Sequence, residues 1–199
     1  MANYRTNRTL PTILVVVIVI IAIVAVISLA RALFFNDSQT GVITDTTEQS
    51  LLSTSDSSSV SMSVRGPIVA QENFHSYTIV ISPSSRQITT YNGYLGTVVE
   101  QENLGNNTAA YTEFVNALNL ANMTAGNQPV NDEGNVEGVC ATGRLSEFSI
   151  LSYGDPVEML WTSTCGGSQG TLEANSTQLS NLFINQIPNA QTMIHNVSL

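Results

Sequence analysis

Three regimes of hydrophobic patterning follow one another along the chain. From Ile13 to Leu29 the sequence reads ILVVVIVIIAIVAVISL, broken only by Ser28. With Ala30 and the ALFF beyond Arg31 it is long enough to cross the ~30 Å hydrocarbon core of a bilayer as a helix. A lone strand could not satisfy its backbone in lipid, so the β-branched run still predicts a helix. Residues 36–63, NDSQTGVITDTTEQSLLSTSDSSSVSMS, hold no aromatic residue and show no sustained apolar period. Such a segment buries too little surface to offset its chain entropy and reads as a disordered tether. From residue 64 onward the apolar positions recur with the periods of strands and helices.

Within that last region FHSYTIVISPSSRQITTY reads as two strands around a Ser-Pro-Ser-Ser turn. His75, Tyr77, Ile79 and Ile81 form the more apolar set and are expected to face the core. NGYLGTVVEQ fits a third strand or a short helical turn. Tyr111, Phe114, Val115, Leu118 and Ala121 share one helical face, with Asn107 or Thr108 as N-cap. A polar loop follows over 122–138. RLSEFSILSYGDPVEMLWTSTC predicts a second hairpin, turning near Gly154-Asp155-Pro156. A closing helix capped by Asn175 or Ser176 carries Leu179, Leu182, Phe183 and Ile187 on one face, and Pro188 is expected to end it or start a turn. The tail to Leu199 stays ambiguous. The fold class is therefore α+β, an antiparallel sheet with two helices in the order ββα-ββα. Setting Tyr77 over Phe148 also brings Phe114 near Phe183, which hints at an internal duplication.

Charge orients the chain. Arg5 and Arg8 precede the apolar run with no acid among them, whereas all fifteen Asp and Glu follow residue 35. The positive-inside bias keeps the N-terminus cytosolic and exports the remainder. Ser28-Leu29-Ala30 resembles a signal-peptidase site, but the run exceeds a usual signal h-region, so a retained anchor is expected. A type IV prepilin leader would place Glu inside the run; Pro11 precedes it instead and no acid lies within. The resulting organisation is a cytosolic 1–11, a transmembrane signal anchor over 12–35, the tether over 36–63 and an exported domain over 64–199. The bilayer is the partner of 12–35, and the expected location is the plasma membrane, single-pass. Only Arg65, Arg86 and Arg144 oppose the fifteen acids, giving the exported part a charge of −12 by count. That surface repels phosphate backbones and excludes nucleic acid as a partner class.

Two cysteines, Cys140 and Cys165, lie on the exported side, where an even count predicts a disulfide. A hairpin turning near Gly154 sets residues 143 and 165 opposite each other, and a curl at Gly143 brings Cys140 level. Such a bridge contributes roughly 3 kcal/mol through lost chain entropy. Competing chemistry sits in the same stretch. WTSTC resembles the T-L-x-T-C strand of sortases, which implies an exported cysteine transpeptidase. The match covers only Thr162, Thr164 and Cys165; no Arg follows to hold an oxyanion, and His75 lies far upstream without a preceding Gly. Gly166-Gly167-Ser168-Gln169-Gly170 fits G-x-S-x-G, and with His195 and Glu173 a serine-hydrolase triad can be written. The sheet, however, reads as small and antiparallel, and TLEAN is a poor helix start. A glycine-rich loop beside a disulfide is the simpler reading, and no catalytic residue is assigned.

His75 and His195, the two histidines, have no Cys or carboxylate at metal-ligand spacing. Asp132, Glu133 and Glu137 gather around glycines without the order of an EF-hand, so a solvated acidic loop is expected rather than Ca²⁺. No metal or cofactor is expected. N-x-S/T at Asn7, Asn36, Asn106, Asn122, Asn175 and Asn196 is what an Asn-, Ser- and Thr-rich chain produces by chance.

VRGPIVAQENFHSYTIVISPSSRQITTYNGYL, AYTEFVNALNLA and C-x-x-G…LWTSTCG together resemble anchored single-span exported proteins of Saccharibacteria-type candidate-phylum bacteria. The resemblance covers most of the exported domain and implies a bacterial envelope protein without a known activity. The expected role is binding or structural, toward an envelope or surface protein, with Tyr77, Tyr91 and Tyr94 as contacts if a sheet face binds. The alternatives are the cysteine transpeptidase or serine hydrolase above, or a pilus or secretion-system subunit, which would be cleaved near the membrane and polymerise.

Overall fold

Ser59, Ser61 and Ser63 alternate with Val60, Met62 and Val64, and this period of two builds an inner strand of the domain. The computed structural model describes residues 43–128, 135–167 and 170–198. Its elements in chain order are α1 (Ile43–Leu52), β1 (Ser58–Arg65), β2 (His75–Ile81), β3 (Ser85–Asn92), β4 (Thr97–Gly105), α2 (Thr108–Leu120), β5 (Leu145–Ser152), β6 (Asp155–Ser163), α3 (Ser176–Ile184) and α4 (Ala190–Asn196), with a 3₁₀ turn at Gln71–Asn73 before β2. The six strands form one antiparallel sheet in the order β4-β3-β2-β1-β5-β6. The fold is α+β, as the periodicity predicts.

The N-terminal end of the domain departs from expectation. The stretch expected as a disordered tether holds α1 and β1, so the folded part begins before residue 64. The sequence disguises β1 because every outward position before Arg65 is Ser, which makes the stretch look polar although the apolar alternation is intact. Leu51, which looks isolated in sequence, is fully buried in α1. The anchor over 12–35 and the cytosolic 1–11 lie outside the described residues. Among the described residues no helix is long and apolar enough to cross a membrane.

Helices cover one face of the sheet. Val60 and Met62 of β1, Ile79 and Ile81 of β2, Ile88 of β3 and Phe148 and Ile150 of β5 meet Tyr111, Phe114 and Leu118 of α2 and Leu179 and Phe183 of α3 in one core. Phe183 is central to it: its ring meets Phe114 edge-on at 5.3 Å and lies 6.1 Å from Phe148. Asn107 and Asn175 cap α2 and α3, their side-chain oxygens accepting from Ala110 N–H and Gln178 N–H. The tail that is ambiguous in sequence forms α4, whose Ala190 and Met193 are buried. Among the described residues the core thus rests on four helices rather than the expected two.

The two hairpins are not copies of each other. β2 and β5 both run antiparallel to β1, on opposite sides of it, with Met62 opposite Ile79 on one flank and Phe148 on the other. They therefore point the same way, and the helices share one face. β3 lies outward of β2 on one side and β6 outward of β5 on the other. No rotation superimposes two such ββα units, because their handedness is opposite. The similar spacing of aromatic residues arises from hydrophobic periodicity and not from duplication.

The second sheet face is rich in hydroxyls. Ser61, Ser63, Thr78, Thr89 and Ser149 point there, with Ser63 and Thr78 hydrogen-bonded across the β1–β2 ladder at 3.0 Å. The edges are handled differently. β6 is sealed by residues 171–172, whose N–H groups donate to Trp161 O, and by Gln128, whose side chain accepts from Met159 N–H. β4 is exposed and carries Glu100 and Glu102, charges that discourage edge-to-edge pairing. Tyr153 and Gly154, with φ of 54° and 89°, make the tight two-residue turn between β5 and β6.

This packing has two measurable consequences. A chain beginning at residue 66 lacks α1 and β1, and circular dichroism should show it without a cooperative thermal transition; a sharp transition would mean that β1 is dispensable. Burial pushes the Tyr77 and Tyr111 phenols from 10.0 up to about 12, with the Arg144 charge partly opposing this at Tyr77. Both are neutral in the folded state, whereas the unfolded chain ionises first. Stability should be undiminished below pH about 10 and fall as pH rises from there toward about 12. Urea midpoints across that window should drop in the wild type and flatten in the Tyr77→Phe/Tyr111→Phe variant.

Candidate functional site

Cys140 and Cys165 are joined, with Cα atoms 5.5 Å apart. The ladder places Leu145 opposite Ser163, and beyond it Thr164 N–H donates to Arg144 O at 2.9 Å while Arg144 N–H donates to Thr164 Oγ1 at 2.8 Å. Residues 143 and 165 thus fall opposite each other, and the chain curls at Gly143 to bring Cys140 onto Cys165. A Cβ at Gly143 would collide with Thr164 Oγ1 and stand 3.1 and 3.2 Å from the two sulfurs. Only glycine fits that approach without displacing a neighbour.

The bridge pins residues 135–143 over the hydroxyl-rich face. Val136, Cys140 and Leu145 are buried together there, with Val139, Trp161 and Cys165 packed against them, as a second small core separate from the main one. This cluster draws on both sides of the disulfide, so the loop depends on the covalent link as well as on apolar contact. Trp161 Nε1 is buried there without a hydrogen-bond partner among the described residues.

Opposite the pinned loop stands a second wall. Phe74 and Tyr94 stack with ring centroids 4.1 Å apart and planes 15° from parallel. The Tyr94 hydroxyl donates to Val69 O at 2.7 Å and accepts from Val69 N–H at 3.0 Å. Gln71 Oε1 accepts from Tyr94 N–H, and Gly93 N–H donates to Phe74 O. The β3–β4 turn is thereby locked to residues 66–74. Ile68 N–H donates to Ala141 O at 2.9 Å and ties the two walls at one end.

Between the walls lies a cleft of about 430 Å³, with Ile68, Phe74, Tyr94, Val136, Val139 and Leu145 supplying its apolar surface. Gly66, Gly93, Gly96 and Gly138 also border it. A Cβ at Gly138 would meet no atom within 4 Å, so the space there is open. Arg65 and Ser76 lie on the cleft floor. Arg65 Nη2 meets Glu147 Oε1 at 2.8 Å, and both side chains are partly exposed. A pair of that exposure contributes little to stability, about 1 kcal/mol or less, so its positioning matters more than its strength. Arg65, Ser76, Val136 and Glu137 also line an adjoining cleft of about 360 Å³ that extends over Ser63 and Thr78. The two form one groove, apolar at the Tyr94 end and hydroxyl-lined with Glu137 and Glu147 at the other. A surface of this kind holds a ligand by an apolar anchor and a few directed polar groups.

The residues singled out from sequence fall in different places. Cys165 is oxidised, and a disulfide sulfur is not the thiolate a transpeptidase needs. Ser168, Asp132 and Glu133 lie outside the described residues; Glu137 is exposed on the groove. His75 opens β2, paired with Asn92 across the ladder, and His195 lies in the last turn of α4. Tyr77 is a core residue of the helix-covered face, which removes it as a surface contact. Tyr91 is half-buried on the second face, and Tyr94, 49% exposed, stands at the cleft mouth. Sequence reasoning missed Arg65, Phe74 and Val136. The first two flank the 66–73 segment, and nothing local marks them as facing a loop some seventy residues away. No family model and no curated protein matches the chain.

Separating the two halves of the bridge tests the role of the pinned loop. Cys140→Ser/Cys165→Ser should lose roughly 3 kcal/mol of unfolding free energy by urea titration. Gly143→Ala should lose about 1 to 3 kcal/mol by overpacking against Thr164 and the sulfurs. An unchanged stability in Gly143→Ala would show that the curl is not tightly packed.

Proposed function

We propose that this protein is an anchored, non-enzymatic binding module of the bacterial cell envelope. It is held by residues 12–35 with the N-terminus cytosolic and its α+β domain displayed outside. The lengthy apolar run, the Arg residues before it and the acids after it support that placement. A disulfide is at home in such an oxidising compartment. The observation that carries the binding role is the groove itself. Two separately anchored walls, one fastened by a disulfide and one by an aromatic stack, hold an apolar cleft open over the sheet. A purely structural domain would close that space with side chains, and here glycines border it. The partner is an envelope or surface protein.

Site-specific photocrosslinking on intact cells tests this. A benzoylphenylalanine in place of Tyr94 should yield a discrete crosslinked species. The same group in place of Leu120, exposed at the end of α2, serves as the control and should yield none. Equal patterns at both positions, or none at either, would refute the cleft as the binding surface.

A further inference from the structure

Resting on the groove as the binding surface, we infer that its occupant is a short extended peptide segment carrying an apolar side chain followed by a basic one. Dimensions set the length of that segment. The groove follows β1 from Gly66 back to Ser63, and at ~3.3 Å per residue this covers roughly 10 Å, the length of about three extended residues. Its two ends differ in chemistry. At the first, Phe74, Tyr94, Ile68 and Val139 offer an apolar slot that suits an aliphatic or aromatic side chain by its chemistry. At the second, Ser63, Ser76 and Thr78 offer hydroxyls that can both donate and accept, which suits the alternating N–H and C=O groups of a peptide backbone.

Charge decides the sign of the flanking residue. Among the described residues, three charged side chains border the second end: Arg65, Glu137 and Glu147. Arg65 is already engaged by Glu147 at 2.8 Å, which leaves Glu137, among the described residues, as the uncompensated charge at the lip. The surrounding field has the same sign, since the exported part carries fifteen acids against three arginines. A Lys or Arg two positions or fewer from the apolar anchor meets Glu137, whereas an acidic residue there is repelled both locally and at long range. An anionic lipid or a polyphosphate is disfavoured by the same field.

Three probes, titrated calorimetrically against the full chain in neutral detergent micelles, resolve the point: acetyl-Ser-Phe-Lys-Lys-amide, its neutral analogue with two Gln in place of Lys, and its acidic analogue with two Glu. The basic peptide should bind at least about ten-fold more tightly than the acidic one, with the neutral peptide between, and added salt should narrow the spread. Glu137→Gln should bring the basic and neutral peptides together, and Tyr94→Ala should weaken all three. If the three bind equally in a Tyr94-dependent way, the groove is a binding site but its charge preference is overturned. If none binds, or if binding is indifferent to Tyr94→Ala, the groove reading falls along with the inference.

Discussion

The arrangement of this domain depends on β1 having two different faces. Val60, Met62 and Val64 anchor the main core, while Ser59, Ser61, Ser63 and Arg65 point to the opposite side. Because β1 pairs with β2 on one flank and β5 on the other, both hairpins take their register from it. A slip of one residue would turn three serines into the core and expose the apolar set. The same strand that fixes the fold also furnishes the groove, through Ser63 and Arg65. Stability and site are thus coupled at eight consecutive residues.

Beyond β1, the second face owes its shape to constraints that are mostly not hydrophobic. A serine-lined strand cannot bind a covering loop by apolar burial alone. The loop over 135–143 is held instead by one covalent bond, a small cluster around Leu145 and Trp161, and a backbone hydrogen bond to Ile68. A disulfide compensates in this way for a limited apolar core, and it leaves the intervening space open. The disulfide that the WTSTC motif obscures is therefore a device that shapes a cleft, with Gly143 as the residue that lets it close.

Much of this was legible in the amino-acid pattern. The two hairpins, the faces of β2, the N-caps to within one residue (Asn107 or Thr108, Asn175 or Ser176) and the pairing of Cys140 with Cys165 follow from local periodicity, capping chemistry and turn placement. The segment read as a tether failed for an identifiable reason: composition outweighed alternation, although S-V-S-M-S-V is a strict period of two. The apparent duplication failed because sequence offsets carry no handedness, and the two units differ in hand. The cleft could not be seen at all. Its walls come from residues 66–74, 93–96 and 136–140, and only the β1 ladder and the disulfide bring them together.

Amide hydrogen exchange of the full chain tests the role of β1 most directly. With β1 an inner strand, the amides of residues 60–64 should exchange only through global unfolding and match the slowest amides of β2 and β5. Fast exchange over 60–64, at rates typical of an unstructured Ser-rich linker, would contradict the placement of β1 at the centre of the sheet and remove the floor of the groove with it.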